Sequence, residues 1–204
     1  MIITVGRQIG SGGHNIGKKL AEELGYKFYD MEILALAAEE SGFDRKFFEK
    51  NDEKHGFFRS IFGGSVLTGA MMNYADSSAS SLSQEGLFRF LSEAIQKAAG
   101  EDNCIFVGRC ADYILRDFPN VVSVFVTADY EERVQAVMQR KEMTREQAEK
   151  HIREKEDSRA SFYNYYTGKT WGHSASYDLC VNSSKLGQDK TVEYIKQFVA
   201  NIAK

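Results

Sequence analysis

The chain has 204 residues, 43% of them hydrophobic, which suits one domain with a sizeable core. Its formal net charge of −3 argues against a nucleic-acid binder that relies on bulk positive charge. The three cysteines contain no CxxC pair, which excludes a typical zinc site or disulfide framework and fits a reducing compartment. The sequence contains neither a signal-peptide pattern nor an apolar run of membrane-spanning length, so we expect a cytoplasmic protein that does not bind membranes.

The first predicted elements are a strand, a glycine-rich loop and a helix. Residues 2–5 are apolar, residues 10–13 read Gly-Ser-Gly-Gly, and a helix is predicted from about residue 14 to residue 24. The apolar stripe of that helix consists of Ile16, Leu20, Ala21 and Leu24. Such a loop exposes backbone N–H groups at the positive end of a helix dipole, where a phosphate can bind. The segment therefore predicts a protein that handles nucleotides.

The loop departs from the P-loop pattern GxxxxGK[ST], whose lysine reaches the outer phosphates. One alignment begins at Gly12 and uses Lys18, but it leaves only about two helical turns before Gly25. The other places the loop at residues 6–13 and produces the longer amphipathic helix, so we adopt it.

The adopted alignment puts Gly13 at the lysine position and leaves Arg7 as the substitute cation. A tight turn that binds nothing is the alternative. The residues expected to bind the donor phosphates are Arg7, Gly10, Ser11, Gly12, Gly13, His14 and Asn15.

Further along, residues 26–29 predict a short strand, and Asp30 is positioned to cap a helix that ends near Ser41. Residues 43–85 carry an aromatic cluster and a serine-rich stretch, and we expect helical pieces joined by a flexible loop. The remaining predicted elements are a helix over residues 87–98, strands at 104–107, 121–126 and 179–181, a short helix at 111–115, and a final helix. Short apolar strands that alternate with helices predict an α/β fold with a parallel sheet covered by helices on both faces.

Asp129 with Glu132 resembles a capping box for one helix, and Thr144 with Gln147 marks the start of a second helix. The second helix is expected to end near Phe162. In parallel sheets ligands bind beyond the carboxyl ends of the strands, and both Arg7 and Arg109 follow a glycine at such an end. Arg109 can offer a planar fork to an acceptor phosphate, or it can form a structural ion pair with a carboxylate such as Asp112.

A second group of cations lies at residues 151–159, where Lys155 and Arg159 share one helix face. A solvated surface helix would have the same charges. The aromatic and glycine-bearing stretch that follows makes a closing lid over residues 143–172 the alternative. Arg133 could stack on an adenine ring or pair with Asp129. The sequence contains no histidine or carboxylate cluster typical of a protein metal site. A Mg²⁺ ion would therefore arrive with the nucleotide phosphates.

Three segments in order carry a family resemblance: ITVGRQIGSGGHNIGKKLAEELGYKFYDMEIL, IFVGRCADYIL and DSRASFYNYYTGKTWG. They resemble the cytidylate kinase-like family, a divergent branch of the nucleoside monophosphate kinases, over nearly the whole chain. The resemblance implies a single P-loop kinase domain over residues 1–204 with a five-stranded sheet, an acceptor-side insertion at 43–85, and ATP with Mg²⁺ as donor.

The resemblance also implies roles for individual residues. Gly10, Ser11 and Gly12 would form the donor-phosphate loop, Lys155 and Arg159 would belong to the lid, and the Asp30 region would begin the acceptor side with Arg109 and Asp112. The chain departs from cytidylate kinase proper at Gly13, in place of the lysine, and at Cys110, in place of an aspartate. Two alternatives to a kinase therefore stay open: a non-catalytic nucleotide-binding protein, and a scaffold whose aromatic insertion binds a partner or a second subunit to form a homodimer.

Overall fold

The computed structural model of the chain describes residues 1–30, 79–101 and 103–202. The predicted helix that ends near Ser41 lies outside the described residues, as does almost all of the predicted insertion at 43–85. Residues 1–29 and 98–204 form one compact unit and residues 30–97 form another. The functional site described below lies within the first unit.

The described strands form one parallel five-stranded sheet in the order β2-β3-β1-β4-β5. The strands are β1 Ile2–Arg7, β2 Lys27–Tyr29, β3 Cys104–Val107, β4 Val121–Thr127 and β5 Leu179–Asn182. The central strand is β1, which pairs with β3 on one side and β4 on the other. The carboxyl ends of these three strands therefore meet at one edge of the sheet, as the sequence predicts.

Six α-helices lie within the described residues. They are α1 Gly13–Leu24, α2 Ala79–Glu101, α3 Ala111–Ile114, α4 Tyr130–Lys141, α5 Arg145–Thr167 and α6 Ser183–Ile202. The last of these is interrupted at Gly187, which has non-helical backbone angles. None of the helices in the described ranges is both long and apolar enough to cross a membrane.

Helices α1 and α6 cover one face of the sheet. Their apolar stripes meet the inward side chains of the central strands in a core that includes Ile3, Val5, Ile16, Leu20, Val124, Val192 and Ile195. Each such side chain contributes about 1.5–3 kcal/mol when it is fully buried. Helix α3 contacts β1 and β4, and α4 packs against α5. The predicted α/β fold with a parallel five-stranded sheet is confirmed.

The two predicted helix starts differ in how they are capped. Helix α5 begins where Thr144 and Gln147 predict. The Thr144 side chain accepts from the Gln147 N–H and the Gln147 side chain accepts from the Thr144 N–H, so the two residues form a capping box. Asp129 occupies the N-cap position of α4 but makes no capping bond, so that prediction is wrong. Its carboxylate instead accepts from Asn182 Nδ2 and Lys185 Nζ, each at 2.8 Å. Residues of β5 and α6 therefore bind the carboxylate oxygens that would otherwise cap α4.

Candidate functional site

The glycine-rich loop joins β1 to α1 and is held by hydrogen bonds of a buried serine. Ser11 Oγ donates to the Gln8 carbonyl at 3.0 Å and accepts from the Gly13 N–H at 3.4 Å. Ser183 Oγ, at the start of α6, donates to the Ser11 carbonyl at 2.8 Å. Gly12, at the N-cap of α1, makes no side-chain capping bond. The loop is therefore anchored through Ser11, whose hydroxyl oxygen also accepts from the first amide of α1.

Gly10 is the position at which the loop lies closest to α4. Its φ is +83°, and a Cβ there would lie 2.6 Å from the Arg133 carbonyl oxygen. Both the backbone angle and the backbone contact exclude a side chain. The close approach sets the distance between the loop and α4.

A cavity of about 230 Å³ lies over the loop. It is lined by Arg7, Gln8, Ile9, Gly10, Gly12, Gly13, His14, Asn15, Arg140 and Arg159. Of the predicted donor-site residues, Ser11 is buried and does not line it, and Arg133 and Lys155 do not line it either. Arg140 is the cation that the sequence analysis missed, because a basic residue in the last turn of a helix is ordinarily explained by the helix dipole.

Arg159, in the middle of α5, connects that helix to the end of β1. Its Nη1 donates to the Arg7 carbonyl at 2.9 Å. Burial, together with the positive charges of Arg109 and Arg140, lowers the pKa of Arg159 to about 10 against the opposing effect of Glu156. The sequence therefore brings arginines from β1, the β3 end, α4 and α5 close together. An anion with several oxygens would relieve their repulsion.

The turn after β3 has an unusual backbone. Gly108, Arg109 and Cys110 have φ values of +81°, +59° and +57° in succession. Left-handed angles at non-glycine residues are strained and cluster at functional sites. The turn places Arg109 close enough to Arg159 for its charge to lower the pKa of Arg159. Burial in turn lowers the pKa of the Arg109 guanidinium. Burial and the neighbouring Asp112 raise the pKa of the Cys110 thiol to about 12, so the thiol stays neutral at physiological pH.

Asp112, the predicted partner of either the acceptor or Arg109, accepts a hydrogen bond from Tyr163 Oη at 2.6 Å. Burial raises the pKa of this carboxyl group, and the Tyr163 bond partly offsets the rise. Tyr163 also stacks near Tyr177, whose ring packs on Phe125. The hydrogen bond thus joins α3 to the end of α5, and the aromatic stretch after α5 packs against the sheet.

Arg133 does not occupy the position expected of a residue that stacks on a nucleobase. It is 6% exposed, and its Nη1 lies 2.7 Å from Glu156 Oε1 and 3.4 Å from the Ile9 carbonyl. Its acidic partner is Glu156 and not Asp129, whose carboxylate binds Asn182 and Lys185. The guanidinium is buried, pairs with Glu156 and contacts the loop backbone at Ile9. We therefore interpret Arg133 as a residue that supports the loop.

The other predicted residues lie as follows. His14, at the start of α1, lines the cavity and makes an edge contact with Phe28. Lys155 is half-buried on α5, and Asp30 ends the first described range. Among the described residues, no group of three or more His, Cys, Asp or Glu side chains is suited to hold a metal ion. The described residues at the cavity offer an anion backbone amides and arginine side chains.

Comparisons with known proteins indicate the family and the fold. The model of the cytidylate kinase-like family matches residues 2–185. The chain is 25% identical to a cytidylate kinase of Methanopyrus kandleri over 96% of its own length and 91% of that protein. An uncharacterized protein from Eubacterium ventriosum has a similar structure, with a TM-score of 0.71, 25% identity and 98% of each chain covered. Shikimate kinase from Bacteroides thetaiotaomicron shares the fold at a TM-score of 0.53 and 15% identity, with 98% of each chain covered.

Proposed function

This chain belongs to the cytidylate kinase-like family, and we propose that it is an ATP-dependent kinase acting in the cytoplasm. The reaction transfers the γ-phosphoryl group to a phosphorylated small acceptor, with a nucleoside monophosphate such as CMP as the first candidate. The observation that carries the proposal is the convergence of Arg7, Arg140 and Arg159 on a cavity lined by the glycine-rich loop.

The donor side follows from the loop. Its backbone amides and the N-terminus of α1 receive the phosphate chain of ATP, and Mg²⁺ arrives with that chain. Phosphoryl transfer requires mainly positioning and neutralisation of charge on the equatorial oxygens. Arg7 and Arg159 supply that charge from two different elements, and Lys155 lies one turn away from Arg159 on α5.

The acceptor side follows from the β3 turn. Arg109 is held there by a strained backbone and offers its planar guanidinium to the acceptor phosphate. Asp112, in the short helix α3 that follows this turn, belongs to the same proposed acceptor side. Because Cys110 carries a neutral thiol where cytidylate kinase proper has an aspartate, the acceptor base has one charged contact fewer.

A non-catalytic nucleotide-binding protein is the second candidate, and the observation that favours it is Gly13 at the lysine position. Both candidates bind ATP, but only the kinase consumes it in an acceptor-dependent way. The two are therefore separated by turnover and not by binding.

The test is a coupled assay for ADP formation with ATP, Mg²⁺ and a panel of nucleoside monophosphates and other small phosphate esters. A kinase produces ADP only with an acceptor, and Arg109→Lys then raises the KM for the acceptor while the Kd for ATP stays near that of the wild type. Arg153→Lys, an exposed change on α5, is the matched control. ATP binding without turnover on any acceptor would favour the second candidate, and no ATP binding would overturn both.

A further inference from the structure

Two glycines trace the path of the Arg7 side chain. A Cβ at Gly13, the first residue of α1, would lie 2.4 Å from Arg7 Cβ and 3.1 Å from Arg7 Cγ. A Cβ at Gly108, after β3, would lie 2.0 Å from Arg7 Nη1. The side chain therefore leaves the end of β1, passes the first turn of α1 and ends at the β3 turn. Neither glycine could carry a side chain while Arg7 keeps this position.

The same two contacts relate Gly13 to the missing P-loop lysine. In the standard pattern the lysine at this position reaches the outer phosphates from the first turn of the helix. Here a side chain at position 13 would begin inside the volume that the Arg7 stem occupies. A side chain at position 13 and the observed path of Arg7 therefore exclude each other sterically. The absence of the lysine is what allows Arg7 to cross this position.

We propose that Arg7 is the catalytic cation of this protein, that it replaces the P-loop lysine by crossing Gly13, and that it holds the transferred phosphoryl group from the side of the β3 turn. The proposal rests on the proposed function. It goes beyond that function because it assigns the direction of the contact and explains both Gly13 and Gly108. The Arg7 guanidinium ends at Gly108, the residue directly before Arg109, so it lies beside the turn that carries the proposed acceptor-phosphate arginine.

The chemistry of the step is balanced without a protein base. An oxygen of the acceptor phosphate forms a bond to the γ-phosphorus of ATP, and the bond between that phosphorus and the bridging β–γ oxygen breaks, with its electron pair leaving on ADP. The acceptor is a phosphate monoester whose second pKa is about 6, so at neutral pH its attacking oxygen carries no proton that must be removed. Arg7 contributes two N–H donors to the equatorial oxygens, which carry the charge in the transition state.

The test exchanges the two residues. The variants are Arg7→Met, Arg7→Lys, Gly13→Lys and the double variant Arg7→Gly with Gly13→Lys, with Arg153→Met as the control on exposed charge. We expect Arg7→Met to lower kcat on the order of 100-fold and to change ATP affinity much less, as for other groups that act on transition-state charge. Arg7→Lys should retain part of the rate, because it keeps the charge and loses the fork.

The steric part has a readout that does not depend on turnover. Gly13→Lys alone should lower the Tm, since its Cβ meets Arg7, and the double variant should recover both the Tm and at least tenfold of the lost kcat. A wild-type rate in Arg7→Met, or a double variant with no more activity and no higher Tm than Gly13→Lys, would overturn the assignment while leaving the kinase intact. If the wild type neither binds ATP nor turns over, the proposed function fails and the assignment fails with it.

Discussion

Arg133 of α4 and Glu156 of α5 form a nearly buried ion pair, with Nη1 and Oε1 2.7 Å apart, next to the glycine-rich loop. The same carboxylate oxygen accepts the N–H of Ile9 at 3.0 Å. Arg133 Nη1 also approaches the Ile9 carbonyl. This side-chain pair therefore binds both the N–H and the carbonyl of Ile9. As a result, the loop conformation depends on the packing of α4 against α5.

Glu156→Ala should destabilise the protein by about 3 kcal/mol, because removal of one partner leaves a buried guanidinium unpaired. Glu156→Gln should lose less, since its amide oxygen still accepts from Ile9. Chemical denaturation measures both changes. Glu154→Gln, an exposed position on the same helix, is the control. Equal stability of the Glu156→Ala variant and the wild type would mean that the pair does not support the loop.

Gly10→Ala should destabilise the loop by about 1–3 kcal/mol, since it combines a left-handed φ with a backbone contact of 2.6 Å. It should also weaken ATP binding, because the loop must move away from α4. Gly100→Ala is the matched control, as a Cβ there meets nothing within 4 Å and helix propensity favours alanine. Calorimetric titration with ATP and thermal melts report the two effects. A Gly10→Ala variant that binds ATP normally would contradict the proposed loop geometry.

Residues 143–172 remain a predicted lid, and the structure shows what holds the middle of its helix. Glu156 and Arg159, one turn apart on α5, both bind backbone groups at residues 7–9. We expect hydrogen exchange across 143–172 to be fast in the free protein and to slow when a bisubstrate analogue binds. Exchange that no nucleotide changes would make the segment an ordinary surface helix.

Arg159→Ala should lower turnover about 100-fold and ATP affinity much less, because its charge is needed mainly in the closed transition state. Arg153→Ala on the same helix controls for loss of an exposed charge. Steady-state kinetics and calorimetry give the two quantities. A loss of ATP affinity equal to the loss of turnover would assign Arg159 to ground-state binding.

Asp112 predicts a pH dependence of stability. Its folded-state pKa is raised above the ordinary value of 3.8, mainly by burial, so the native state holds this proton more tightly than the unfolded state. Its contribution to stability is complete below the unfolded pKa and is lost as the pH rises through the raised pKa. Asn cannot ionise. The free energy of unfolding of Asp112→Asn, relative to that of the wild type, should therefore increase as the pH is raised from about 4 to about 7.

Urea denaturation of both proteins at the two pH values measures this difference. Asp117→Asn, at an exposed carboxylate, should show no comparable trend. A constant difference between Asp112→Asn and the wild type would mean that the Asp112 carboxyl is not desolvated.

Local patterns were sufficient for the fold. The apolar runs at β1, β3 and β4 specify buried parallel strands, and the stripe of α1 specifies the face that packs on them. The helix start at Thr144 and Gln147 also followed from spacing alone, because the signal lies within four consecutive residues. The Asp129 box failed because residues 53 and 56 positions away offered its carboxylate better partners.

The sequence by itself determined where the candidate site residues lie along the chain: a loop that can bind phosphate after β1, an arginine after β3, and cations on α5. The tertiary structure decided which of these cations meet. It placed Arg140 at the cavity, tied Arg133 to Glu156 and directed Arg7 across Gly13 to Gly108. The physical reason is that charge and steric contacts act between side chains close in space, and residues from four separate elements become neighbours only when the sheet brings its strand ends together.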